Sequence, residues 1–394
     1  MTTSRVPRIL RMLGDPEPPT FLELFFDLVF VFTFARLSQQ LMERLDWGGA
    51  IQTALLLLTT WWIWELTVWV TDLFDPRLPE IQILVILLMF GSLLLAVAIP
   101  TAFGEHSMLF VGTYLGVILT RSSFLIIGQR GHPSQARSVR VLFWVGLSAG
   151  PWIAGGLVPD NRIRMGLWAL AIGLDYLAAR IGWPTPGLGR TSLENRIFTG
   201  PHVSERHRQI FCIALGESIL SMGLALTASG FTIARWVALV AAFLNVVLLF
   251  LIYSNQARKL LSPEGLWSNE RVGPGIVSAY SHLLLVAGVV MISVSVDAIV
   301  HHPFTQASTA MTVVIVGGPA LFLFGTFLFE YAVTRRPLYS RLAAIAILAV
   351  LGYMLSPLPE LAMIIAADLV LAATLVVDTS TRRSPASGQP AAAH

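Results

Sequence analysis

Apolar stretches of about 20 residues recur along the whole chain, each long enough to cross the hydrocarbon core of a bilayer as a helix. Read with their proline, glycine and charged interruptions, they fall at 21–41, 50–72, 80–101, 107–128, 139–158, 163–183, 203–225, 232–253, 274–297, 309–333, 338–356 and 359–378. Backbone in lipid must satisfy its own hydrogen bonds, which leaves helices or a closed barrel. Barrel strands would show short alternating segments, and these runs do not alternate. The expected fold is therefore all-α, a polytopic helical membrane protein of about 12 transmembrane helices. Only 12% of the residues are charged and mean hydropathy is +0.72, against roughly 25% charged in soluble domains. The net charge of +3 is small, and no basic, aromatic-interleaved patch suggests nucleic acid as a partner. The single cysteine, Cys212, excludes an intrachain disulfide and a Cys-based zinc site.

The first apolar stretch, FLELFFDLVFVFTFARLSQQL, carries two acids that its surroundings do not explain. An acid at the centre of a spanning helix costs about 2.5–3.5 kcal/mol on insertion scales and is tolerated where it faces protein or water. Glu23 and Asp27 are four residues apart and share one helix face, which Phe30, Phe34 and Ser38 continue. Arg36 points the other way, close enough to the helix end to snorkel.

ELFFDLVFVF (Glu23–Phe32) resembles the opening signature of the bacterial low temperature requirement A family of membrane proteins. WWIWELTVWVTDLFDPR (Trp61–Arg77), IALGESIL (Ile213–Leu220) and AYSHLLLVAGVV (Ala279–Val290) fit the same family in order. The resemblance spans most of the chain. It implies a polytopic membrane protein and supplies no reaction.

Loop charge sets an expected orientation. Of the 26 Lys and Arg residues, twenty fall on one side when the N-terminus is placed inside. Only Arg44, Arg162, Arg164 and Arg235 fall outside, and Arg36 and Arg121 lie within spans. Both termini are thus expected in the cytoplasm, with the protein in the cell membrane of a bacterium. The arm 1–20 holds Arg5, Arg8 and Arg11 and lacks a cleavable apolar core, so it is not read as a signal peptide. A surface-lying helix and a disordered basic arm both remain open for it. A cytoplasmic loop at 184–202 divides two six-helix halves, 21–183 and 203–378, and a second long loop is expected at 254–273. The tail 379–394 reads as disordered. Pro19-x3-Glu23 and Pro201-x3-Glu205 recur at an offset of 182, and an adjusted offset carries Asp175 onto Asp368. A 6+6 duplication is left open.

The second span adds Glu65 and Asp72, seven apart on one face, with Trp61, Trp62 and Trp69 on or beside it. Glu65 is expected to face a polar cavity or a partner, and Asp72 to sit at the headgroups. Arg121 lies deep in the fourth span and needs a carboxylate, a carbonyl or water; Glu23, Asp27, Glu65 and Asp175 are its candidate partners. Glu217, in IALGESILSMG, is the leading single candidate, and Gly216 and Gly223 beside it suggest close helix approach. Glu205, Arg206, His207 and Arg208 read as a solvated helix start. His282 could titrate in a proton pathway or hydrogen-bond a neighbouring helix. Asn245 is expected to join helices, and Glu330 to be interfacial. Asp297, His301 and His302 cluster at a helix end with too few ligands for a metal, so no metal or other cofactor is assigned. Gly112-x3-Gly116 and Gly146-x3-Gly150 are read as helix-packing motifs.

No His-Glu-x-x-His, Gly-x-Ser-x-Gly or Gly-x4-Gly-Lys motif is present, so no catalytic set is named. The expected partners are the lipid bilayer and a small solute or ion, and a homo-oligomer is compatible with this reading. Two functions remain. One is transport, coupled to protons through Glu23, Asp27, Glu65, Arg121, Asp175, Glu217 and Asp368, with His282 and Asn245 secondary. The other is a scaffold or sensor whose buried charges only hold helices together.

Overall fold

The computed structural model describes residues 18–191, 201–260, 274–355 and 358–380. Among them are twelve α-helices. They are α1 (Phe21–Glu43), α2 (Trp47–Leu73), α3 (Pro79–Ala98), α4 (Ser107–Gly128), α5 (Gln135–Leu157), α6 (Asn161–Ile181), α7 (Pro201–Ser229), α8 (Ile233–Leu260), α9 (Pro274–His301), α10 (Thr309–Thr334), α11 (Tyr339–Leu355) and α12 (Glu360–Ser380). A 3₁₀ turn, Ile99–Thr101, extends α3. No strand occurs among the described residues, only the isolated bridges Thr185–Gly189 and Gln306–Pro359. Each expected apolar stretch is helical over nearly all of its described residues, some overrun by as much as about two turns. Eight of these helices (α2, α3 with its 3₁₀ turn, α4, α7, α8, α9, α10 and α12) are long and apolar enough to cross a membrane. The chain is a multi-pass helical membrane protein.

Local chemistry fixes the helix ends. Asp46 Oδ1 accepts the Gly49 N–H at 2.6 Å to cap α2, and Ser308 Oγ caps α10 through Met311 N–H, each meeting a backbone donor that has no helical partner. Asp160 caps α6 by accepting from Arg162 N–H at 2.7 Å and Ile163 N–H at 3.1 Å. The Ile163 bond and then the Arg162 bond hold its carboxyl below the usual aspartate range. Gly182 closes α6 in the left-handed region, at φ 84°, where a side chain would be strained.

The chain separates into two compact units, with boundaries inside α7, after Glu217, and inside α9, after Leu283. The first comprises the described residues of Met1–Glu217 and Arg271–Leu283. In it α1 packs on α2 and α3, α3 on α4, α4 on α5, α5 on α6 and α2 on α6. Trp152, Trp168, Phe110 and Tyr114 form a buried aromatic core. Gly155 admits Trp168, since a Cβ there would lie 2.5 Å from the indole Cδ1. The second unit comprises the described residues of Ser218–Glu270 and Leu284–His394. Here α8 packs on α10 and α12, and α10, α11 and α12 pack on one another. α9 and α10 meet at backbone distance: a Cβ at Gly288 would lie 2.7 Å from the Gly318 carbonyl oxygen.

Some expectations change. Gly112, Gly116, Gly146, Gly150, Gly216 and Gly223 lie on exposed faces, and a Cβ at any of them would meet nothing within 4 Å. A Gly-x3-Gly spacing marks a smooth stripe and does not say which way it faces. Of the loop expected at 254–273, residues 254–260 are helical, because α8 continues to Leu260, and 261–273 lie outside the described residues; α12 reaches Ser380. The expected arm 1–20 falls outside the described residues up to residue 17, as do 192–200 of the connecting loop and 381–394 of the tail.

Candidate functional site

Where α1, α7 and α9 begin and α2 ends, the first unit buries a network of charged groups. It starts with the capping of α1. Glu23, at the third helical position, accepts through Oε2 from Thr20 N–H at 2.7 Å and from Thr20 Oγ1 at 3.0 Å, the reciprocal arrangement of a capping box. This leaves Glu23 Oε1 facing α7, 2.8 Å from His202 Nε2 and 3.7 Å from Arg206 Nη1. One turn on, Asp27 Oδ1 accepts from Arg206 Nη2 at 2.6 Å and from Trp64 Nε1 at 2.9 Å. His202 and Arg206 are four apart, like Glu23 and Asp27, so a basic i,i+4 pair meets an acidic one on facing helices. His202 Nδ1 also lies 3.4 Å from Asp72 Oδ1 near the end of α2.

A second arm runs through His207. Its Nδ1 lies 2.9 Å from the Val203 carbonyl and its Nε2 lies 2.7 Å from Glu65 Oε1. A carbonyl only accepts, so Nδ1–H donates there, and a second proton is shared between Nε2 and the Glu65 carboxylate. The His207 ring sits edge-on to Trp64 at 5.2 Å and 4.9 Å from the ring of His282. His282 Nδ1 lies 2.8 Å from the Ser278 carbonyl, one turn back on its own helix. Glu23, Asp27, Glu65, His202, Arg206, His207 and His282 are all buried. Asp27 Oδ2 and Glu65 Oε2 have no hydrogen-bond partner among the described residues. Among the described residues, the four carboxylates of this network thus have one permanently charged cation, Arg206, and three histidines. Charge balance here depends on protons. Among the described residues, no three His, Cys, Asp or Glu side chains converge as a metal site would require.

The structure draws Glu23, Asp27, Glu65 and His282 into this network and separates them from the other candidates. Glu217 Oε1 accepts from Ser38 Oγ at 3.1 Å, at the far end of the same α1 face. Asp175 Oδ2 accepts from Tyr114 Oη at 2.7 Å. Arg121 meets none of its candidate acids; its Nε donates to the Leu66 carbonyl at 3.0 Å. In the second unit, Asn245 Nδ2 donates to Asp368 Oδ1 at 2.7 Å. Glu330, expected at an interface, is buried. His301 Nε2 lies 3.8 Å from Asp297 Oδ1. Arg36 stays outward, bonded to Gln39 and 4.7 Å from the Phe32 ring centre.

Arg206 and His207 overturn the reading of residues 205–208 as a solvated helix start, since both are fully buried. α7 is helical from Pro201, so they stand more than a turn inside it on its inward face. Glu205 and Arg208 do remain half-exposed, paired with each other at 2.8 Å. His202 was missed altogether; its spacing from Arg206 was the available signal.

Two comparisons bear on this arrangement. The model of the family described as bacterial low temperature requirement A protein (LtrA) matches residues 19–376. An uncharacterized protein of Rhizobium meliloti (strain 1021) is 31% identical over 337 residues, 85% of this chain and 82% of the relative. No solved structure matches. With the match running from the cap of α1 into α12, the chain belongs to the bacterial low temperature requirement A family.

Proposed function

We propose that this protein is a transporter of a small solute or ion, coupled to protons held by the buried network of α1, α2, α7 and α9. One observation carries this reading. Four buried or half-buried carboxylates lie against Arg206, His202 and His207, only Glu23 and Asp27 of them against the guanidinium, and Asp27 Oδ2 and Glu65 Oε2 have no hydrogen-bond partner among the described residues. A set built only to lock helices would balance its charge, because an uncompensated buried charge costs several kcal/mol. An acid-rich set with histidines bound to it changes charge by gaining or losing protons, which is what relays in membranes use. The scaffold reading draws on the short Arg206–Asp27 contact of 2.6 Å, a geometry suited to fixing α7 against α1.

The loop-charge bias supports twelve crossings with both termini in the cytoplasm of a bacterium, which would put the network near the cytoplasmic face. The 6+6 organisation and a homo-oligomer belong to the same proposal. Flux into proteoliposomes of the purified protein, screened over ions and small solutes with a pH-sensitive dye inside, tests it. Glu65→Gln and His207→Gln should fold and insert yet lose proton-coupled flux. Unchanged flux in both variants would leave the network a structural lock.

A further inference from the structure

Of the four carboxylates in the buried network, Asp72 is the one that reaches the surface. Its side chain is 22% exposed, whereas Glu23 and Asp27 are fully covered and Glu65 is 4% exposed. Asp72 is the next-to-last residue of α2. The turn beyond it carries Arg77, exposed and paired with Asp75 at 3.0 Å. An ionised acid facing lipid is costly, so a carboxylate at this helix end meets water or headgroups. Inward from it lies His202, in the first turn of α7 and only 5% exposed. Its Nδ1 stands 3.4 Å from Asp72 Oδ1 and its Nε2 stands 2.8 Å from Glu23 Oε1. Carboxylates accept, and a neutral imidazole carries one N–H. The two acids therefore favour an imidazolium between them, and the ring can take a proton on one side and give one on the other. Arg206 Nη1 approaches the same Glu23 oxygen at 3.7 Å, but a guanidinium does not release its proton. Among the described residues, the other ionisable groups that these helices bring to the network are Asp27, Glu65, His207 and His282, all buried. Asp27 is engaged by Arg206, and Glu65 by His207. Glu205 and Arg208, half-exposed, pair with each other.

We infer that Asp72 and His202 form the mouth of the network, the pair through which its protons exchange with water. Asp72, protonated from solvent, passes its proton to His202 Nδ1, and the resulting imidazolium gives its Nε2 proton to Glu23 Oε1. One proton moves from Asp72 to Glu23 while the ring proton shifts from Nε2 to Nδ1, and the reverse sequence releases it. This inference rests on the proton-coupled reading and adds its point of entry.

The test uses the full chain in lipid, given a rapid pH step and followed by time-resolved infrared absorption of its carboxyl groups. In Asp72→Asn and His202→Gln the carboxyl band should still form, but about a hundredfold more slowly, the lower end of what a positioned proton carrier supplies. Asp72→Glu keeps a carboxyl at the mouth and should exchange at close to the wild-type rate. Added imidazole should restore part of the rate in Asp72→Asn, which a purely structural role for Asp72 would not allow. Should His202→Gln fold poorly, Asp72→Asn decides. A wild-type rate in Asp72→Asn, or slowing that Asp72→Glu shares and imidazole does not relieve, would overturn the inference and leave the proton-coupled reading standing. A wild-type chain without any carboxyl band would overturn both.

Discussion

In the second unit, Arg341 of α11 meets Asp378 of α12 at 2.6 Å, and Asn245 of α8 meets Asp368 of α12 at 2.7 Å. Gln256 Nε2 donates to the Thr326 carbonyl at 2.6 Å, and Ser218 shares a hydrogen bond with Ser293. All four contacts join two helices, and Asp378 also accepts from Ser340 Oγ at 3.3 Å. In the first unit Arg206 reaches towards two carboxylates, His202 lies between two more contacts, and His207 shares a proton with Glu65. Small contacts that each tie one helix to a neighbour hold helices in register. A network with more acids than cations has several proton arrangements close in energy, and helix positions can follow them. On the proposed reading, the difference separates stability from function within one chain.

The comparison breaks first at Arg206. Arg206→Met would strand Glu23 and Asp27 without their permanent cation, at a cost of about 3–5 kcal/mol for a broken buried pair. The expected result is a sharp loss of monodisperse protein in size-exclusion chromatography. Wild-type recovery would mean that histidines alone carry the balance.

A smaller effect sharpens the packing side. Gly288→Ala would drive a methyl against the Gly318 carbonyl, an overpacking penalty of about 1–3 kcal/mol. Gly112→Ala in the first unit meets nothing within 4 Å and should shift the detergent melting curve little. Equal effects at the two glycines would place the close helix contacts wrongly.

Much of this was legible in sequence, and the exceptions share a cause. The α1 face of Glu23, Asp27, Phe30, Phe34 and Ser38 is buried throughout, because i,i+4 spacing fixes a face whatever the neighbours are. Helix positions followed from apolar length. Partners did not, because spacing on one helix says nothing about the helix opposite. Arg121 was expected to need a carboxylate, a carbonyl or water, and it took a carbonyl in place of the named acids, because a free carbonyl lone pair leaves no trace in a sequence. Arg206 and His207 were hidden by their place beside a basic loop, where charge usually means solvent. The exposed Gly-x3-Gly motifs failed for the related reason that a small-residue stripe has no direction.

The smallest expected effect is in the second unit. Replacing its pair together, Arg341→Met with Asp378→Leu, should leave folding near neutral or improved, as for buried pairs exchanged for apolar residues. Transport activity should persist, since the pair has only to hold α11 against α12. A melt below that of either single variant would show that the pair does more.

The exchangeable proton itself can be observed. Infrared difference spectra of the full chain in lipid, taken between pH steps over which it stays folded, report carboxyl groups that gain or lose protons. The account predicts a reversible carboxyl band in the wild type, diminished in Glu65→Gln and His207→Gln, and retained in Arg341→Met with Asp378→Leu. Identical bands in the wild type, Glu65→Gln and His207→Gln would contradict it, since the buried charges of the first unit would then be as fixed as those of the second.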